Sequence, residues 1–165
     1  MNSKTLQTII LIAGIIGVIA GLLYLSSRQQ TKDSSFVELE GITLSETNFD
    51  FGNVSMAKGI VTHDYILTNV GGEFITMDNA YTSCMCTTAT IIIGGEVVGT
   101  YGMPGHGGSM SVGRDIEPAG EAVIRVAFDP SAHGPAGIGR IDRIVRIETD
   151  DNRRLELAFT ANVTP

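Results

Sequence analysis

Between residues 43 and 163 the chain repeatedly alternates apolar and polar side chains with a period of two. Val61, His63, Tyr65 and Leu67 fall on one phase, and Ile75, Met77 and Tyr81 on another, with Asn79 between the last two. Ala122, Ile124, Val126 and Phe128 alternate with Glu121, Val123, Arg125 and Ala127. Ile141, Val145 and Ile147 alternate with Arg140, Asp142, Arg146 and Glu148. Leu155, Leu157, Phe159, Ala161 and Val163 form the longest run. Period two with one apolar face predicts strands of antiparallel sheets that bury that face against a second sheet. Asn69-Val70-Gly71-Gly72 and Asp150-Asp151-Asn152 supply turn residues between the runs, the second as a hairpin. About seven strands in roughly 120 residues suit an immunoglobulin-like β-sandwich, so the expected class is all-β.

The amino-terminal pattern is different. Leu6 to Leu25 is an uncharged run of Ile, Leu, Gly and Ala, bracketed by Lys4 and by Arg28 and Lys32. A helix of that length covers roughly 30 Å, the hydrocarbon thickness of a bilayer. The run exceeds a signal-peptide core of about 7–15 residues, and Tyr24-Leu25-Ser26-Ser27-Arg28 offers no small-x-small cleavage site. One uncleaved transmembrane helix is therefore expected over 1–27, a polar linker over 28–41, and the β-sandwich domain over 42–165. The flanking charges nearly balance, so the positive-inside rule contributes little. With a signal-anchor at this position, the domain is expected on the extracytoplasmic side of the cell membrane. Gly17-x-x-x-Gly21 is a weak helix-pairing pattern.

Composition narrows the function classes. The 165 residues carry 18 acidic and 11 basic side chains, a formal charge of −7, which argues against nucleic acid as a partner. No serine sits in a nucleophile elbow, no Ser-His-Asp trio stands out, and no carboxylate pair emerges, so an enzyme is not expected. The absence of tryptophan and the near-adjacent cysteines exclude the antibody type of immunoglobulin domain.

Three segments together resemble the domain-of-unknown-function 1573 family: Phe49-Asp50-Phe51-Gly52-Asn53-Val54, His63-x-Tyr65-x-Leu67-x-Asn69-x-Gly71, and Ser83-Cys84-Met85-Cys86-Thr87. Ile116-Glu117-Pro118-Ala119-Gly120-Glu121 and Val126-Ala127-Phe128-Asp129 continue the pattern, so that the resemblance spans 47–163. It implies an immunoglobulin-like module of a bacterial envelope protein, carried behind a signal or anchor, without a defined activity. A long Gly-, Met- and His-containing segment between Ile93 and Ile116 departs from it.

The chemical lead is a set of soft donors. Cys84-Met85-Cys86, Met103-Pro104-Gly105-His106 and Ala132-His133-Gly134 bring thiol, thioether and imidazole into loop contexts. Such donors suit copper first and zinc second, and are the wrong atoms for magnesium or calcium. Counting strands puts Cys84, Cys86 and His133 at one pole of the sandwich. The same count starts and ends the 94–119 loop at the opposite pole, so His106 and Met103 must fold back to join them. Several alternatives stand beside a metal site. The cysteines can form a disulfide that staples a turn, or remain inert thiols. Thiol-redox chemistry is the weakest branch, since the spacing is not Cys-x-x-Cys. His63, between Val61 and Tyr65, reads as a core histidine, Met77 as core, and Asp50 and Asp129-Pro130 as turn formers. The glycines of 94–113 do not precede a Lys-Ser/Thr pair, so a phosphate cradle is not expected. Two functions follow: a structural or protein-interaction module of the envelope, or a soft-metal module built on Cys84, Cys86, His133, His106 and Met103.

Overall fold

A computed structural model of the protein describes residues 37–106 and 110–165. The expected transmembrane helix over 1–27 lies outside the described residues. Among them, no helix is long and apolar enough to cross a membrane.

Among the described residues, eleven strands form the domain: β1 (Val37–Leu39), β2 (Ile42–Leu44), β3 (Asn48–Ser55), β4 (Val61–Asn69), β5 (Ile75–Thr82), β6 (Thr87–Ile93), β7 (Glu96–Tyr101), β8 (Ser111–Ile116), β9 (Glu121–Phe128), β10 (Gly139–Thr149) and β11 (Arg154–Thr164). One sheet runs β1-β2-β4-β9-β6-β7 and the other β3-β11-β10-β5-β8. Pairing is antiparallel except between β3 and β11, which run parallel along one edge. The all-β sandwich expected from the alternation is present, with eleven strands among the described residues where about seven were expected. β1 begins inside the segment read as linker.

Alternation translates directly into burial where it is unbroken. Ala122, Ile124, Val126 and Phe128 of β9 are buried, as are Leu155, Leu157, Phe159, Ala161 and Val163 of β11. Each of the larger of these side chains (Ile124, Val126, Phe128, Leu155, Leu157, Phe159 and Val163) contributes on the order of 1.5–3 kcal/mol on leaving water, so these two strands anchor the core. Tyr65 of β4 bridges the layers: fully buried, it donates its hydroxyl to the Ala158 carbonyl of β11 at 2.6 Å. Burial pushes its phenol well above the ordinary range. His63, expected in the core, is half-buried at its edge, stacked on Phe49 with centroids 3.5 Å apart and with Nε2 2.9 Å from Glu46 Oε1.

Two expectations fail for identifiable reasons. Tyr81 does not share the phase of Ile75 and Met77. The pairing of β5 with β8 slips between Met77 and Asn79, and a β-bulge of this kind reverses the phase, so that Ala80 and Thr82 turn inward. Tyr81 then donates to Glu148 Oε1 at 3.0 Å. The segment 94–113 is not one long loop either. It holds β7 and the start of β8, whose polar residues and internal Gly99 and Gly113 hide the period of two. β7 pairs back along β6, with Glu96 beside Ile93 and Tyr101 beside Ala89.

Candidate functional site

The Cys84-Met85-Cys86 turn joins β5 to β6, and its conformation is held from below by a buried threonine. Thr82 Oγ1 points its hydroxyl at both the Cys84 carbonyl (2.9 Å) and the Thr87 carbonyl (3.0 Å). Thr87 N closes the turn on Cys84 O at 3.1 Å. Ser83 pairs with Ile144 of β10 through both its amide and its hydroxyl, and Asp129 N donates to Cys86 O at 2.9 Å. The turn is thus tied to both sheets.

Asp129 organises the approach of the histidine. Its carboxylate accepts from Ser131 N at 2.8 Å and Ser131 Oγ at 2.6 Å, folding the chain after β9 into a turn that presents His133. Gly137 packs closely under this loop. A Cβ there would lie 3.2 Å from His133 Cβ, so a larger residue would press on the histidine's base.

These loops bring the sulfurs and the imidazole together. Cys84 and Cys86 are joined as a disulfide, with their Cα atoms 5.3 Å apart. His133 Nε2 lies 3.1 Å from Cys84 Sγ. The Sγ atoms of Cys84 and Cys86 and a ring nitrogen of His133 all fall within 4.8 Å of one another. Arg143 Nε donates to Cys86 Sγ at 3.3 Å, and Cys86 N to Cys84 Sγ at 3.3 Å. The sulfurs are shielded, with Cys84 9% and Cys86 3% exposed, whereas His133 is open to solvent.

The pole assignment of His106 and Met103 is corrected. Because β7 returns the chain along β6, the loop after Tyr101 starts at the cysteine pole, where Gly102 O accepts from Thr82 N at 3.1 Å. Among the described residues, His106 adds no ligand atom to the Cys84–Cys86–His133 group; it is exposed and its amide bonds to Met103 O at 3.2 Å. Met103 is partly buried in the same loop. Arg143 and Thr82 escaped the sequence reading. A signal for the first existed: Arg143 occupies the same phase of β10 as Ile141, Val145 and Ile147, an arginine where an apolar residue belongs.

The Phe-Asp-Phe-Gly, His-x-Tyr and Cys-x-Cys segments now lie on β3, β4 and the turn before β6. A stretch covering all three, residues 42–94, matches the family model described as "Protein of unknown function (DUF1573)". The resemblance is to DUF1573. The DUF1573 match contains both cysteines, while His133 and Arg143 lie beyond it. No curated protein matches the chain. Among solved structures, a protein of unknown function from Porphyromonas gingivalis W83 is similar at 18% identity and a TM-score of 0.50, over 73% of this chain. The matched region is 46% of that protein, so the present chain spans less than half its length. An ASH / PapD-like domain of human CEP192 gives 12% identity and a TM-score of 0.48, over 82% of this chain and 91% of that one. The periplasmic chaperone SfaE gives 9% identity and a TM-score of 0.43, over 76% and 59%. At these identities the likeness concerns the fold.

Proposed function

We propose that the protein is a membrane-anchored, extracytoplasmic sandwich module that binds one soft metal ion, copper(I), through Cys84, Cys86 and His133. The observation that carries this reading is the gathering of two sulfurs and an imidazole nitrogen within 4.8 Å at the end of a rigid fold. The disulfide is the ion-free form. Two electrons and two protons from a dithiol donor convert the S–S bond into two thiols, with the donor oxidised to its own disulfide. The incoming ion then displaces both thiol protons and takes two thiolates and the imidazole.

Charge selects the ion. Two thiolates and one monovalent cation leave a single negative charge in a shielded site, and the Arg143 guanidinium beside Cys86 Sγ offsets it. Ligand number points the same way. Structural zinc takes four ligands, and among the described residues only three such donors converge.

A chromophoric copper(I) chelator tests this in competition with the reduced protein. The wild type should withdraw one copper(I) from the chelator, and His133→Ala should withdraw it markedly less well. Equal competition by the two proteins would remove the histidine from the site.

A second reading, the protein-interaction module, has one observation in its favour at the other pole. Phe74 stands exposed on the rim of a 580 Å³ groove floored by Ile92, Ile93 and Val123 and edged by Asp115, Glu117 and Glu121. Those residues suit an extended apolar peptide carrying basic side chains. A synthetic peptide alternating Lys and Leu should shift the amide signals of Ile92 and Ile93, and Phe74→Ser should abolish the shift. Unmoved signals in the wild type would refute the reading.

A further inference from the structure

We infer that the metal pole extends beyond its three ligands into a thioether-lined landing surface for the same monovalent ion, formed by Met56, Met85, Met103 and Met110. This rests on the soft-metal reading of the pole. Its starting observation is segregation. Among the described residues, Met77 is fully buried, while Met85 lies in the cysteine turn, Met103 and Met110 lie on segments hydrogen-bonded to the strand that leads into it, and Met56 packs on the edge of the core beside the His133 loop. Met85 lies between the two cysteines and is 52% exposed. Met103 follows Gly102, whose carbonyl accepts from Thr82 two residues before Cys84. Met110, just before β8, accepts through its carbonyl from Ala80 N of β5 at 2.8 Å, and its side chain is 42% exposed. Met56 opens the turn after β3 and reaches the histidine loop. A Cβ on Gly137 would lie 3.7 Å from Met56 Cε and 3.2 Å from His133 Cβ, so the two side chains flank one glycine. The opposite pole, built by 70–74, 94–95, 117–120 and 150–152, has no methionine, cysteine or histidine.

Packing does not account for Met85 and Met110. A methionine that fills a gap in a core is buried, and an exposed one leaves apolar surface in water with no compensating contact. Thioethers are neutral, weak, soft donors, so they hold copper(I) or silver(I) loosely and leave hard ions alone. The sulfurs of the main site are shielded while His133 is open, so an ion arriving from outside meets the methionine rim and the imidazole before the thiolates. Stepwise exchange from thioether to imidazole to thiolate runs from weaker to stronger donors and needs no redox change.

The test uses silver(I), a redox-inert soft ion, with the full chain in mild detergent and isotope-labelled methionine methyl groups. In the Cys84→Ser, Cys86→Ser double variant, silver(I) should shift the methyl signals of Met56, Met85, Met103 and Met110 and leave Met77 unchanged. Absence of any shift, or an equal shift of Met77, would overturn the inference. A Met56→Leu, Met85→Leu, Met103→Leu, Met110→Leu variant with both cysteines reduced should reach the wild-type silver content at the Cys/His site, but more slowly. Loading at the wild-type rate would overturn the landing role. Should the reduced wild type hold no more silver than the double variant while the four methyl signals still shift, the thiolate site fails and the methionine surface stands.

Discussion

Replacing Asn69 by alanine should cost this fold about 3 kcal/mol, although no apolar contact is lost. Asn69 is fully buried at the end of β4, where the chain crosses from one sheet to the other. Its Nδ2 donates to the Ile116 carbonyl at 3.0 Å and to the Glu73 carbonyl at 2.8 Å, and its Oδ1 accepts from Gly71 N at 3.0 Å. The side chain therefore ties β4 of one sheet to the end of β8 in the other. Alanine removes all three bonds. The bond to Ile116 is buried and its loss carries a desolvation penalty of about 1–3 kcal/mol. Glu73 is exposed, so water can replace the second bond at a cost of about 1 kcal/mol. Gly71 N keeps a bond to Gly41 O at 3.2 Å and loses the least. With a urea slope of about 2 kcal/mol per molar, the unfolding midpoint should fall by about 1.5 M, read by far-ultraviolet circular dichroism. Asn69→Asp keeps the shape but removes the two donors and sets a carboxylate against two carbonyl oxygens. It should be worse than alanine at neutral pH, and the gap should narrow in acid as the carboxyl takes up a proton. A midpoint shift below about 0.3 M for alanine, on that same slope, or a neutral-pH order with aspartate above alanine, would refute the reasoning.

Three further outcomes follow from the same structure. Tyr65→Phe removes the hydroxyl that joins the sheets through Ala158 O and should destabilise by about 1–2 kcal/mol in chemical denaturation, with an unchanged slope. A loss below about 0.3 kcal/mol would show that the bond contributes no net stability. Thr82→Val preserves shape but leaves the Cys84 and Thr87 carbonyls without the hydroxyl that braces them; it should destabilise by about 1–3 kcal/mol and weaken copper(I) binding by the reduced protein. Wild-type affinity in that variant would show that the turn needs no brace. Hydrogen bonds from Arg153 and then Thr149 hold the Asp151 carboxyl down to about 2, against an unfolded value of about 3.9. Because the folded value is the lower one, its contribution is present above pH ~4 and is lost as the pH falls toward ~2. The side chain is 47% exposed, so solvent screening keeps the effect small. Asp151→Asn should flatten that part of the acid-unfolding curve, and an unaltered curve would contradict the assignment.

How far these features could be read from the sequence depends on local physics. β9 and β11 were legible because nothing interrupts their alternation and both lie inside their sheets, one face sealed by the opposing layer. β5 was half legible, since the bulge after Met77 reverses its phase with no glycine or proline to announce it. β7 and β8 were invisible as edge strands, where solvent access relaxes the demand for an apolar face. The short β1 and β2 show too few residues for any period. The pole shared by Cys84, Cys86 and His133 survived these errors, because only the direction of the flanking strands matters for it. The placement of the His106 loop did not survive, because overlooking β7 reverses the direction of the chain. Arg143 needed a question about charge on an apolar phase rather than one about motifs.

The central claim is that reduced Cys84 and Cys86, with His133, hold one soft monovalent ion that the disulfide form cannot. The decisive measurement is the metal content of the full chain by elemental mass spectrometry after exposure to a mixture of copper(I) and zinc. It would be made on the dithiol-reduced protein, the oxidised protein and the Cys84→Ser, Cys86→Ser double variant. The account predicts near-stoichiometric, tightly held copper in the reduced wild type, little zinc, and no tightly held metal in the other two. Equal copper in all three, or zinc in preference to copper in the reduced protein, would contradict it.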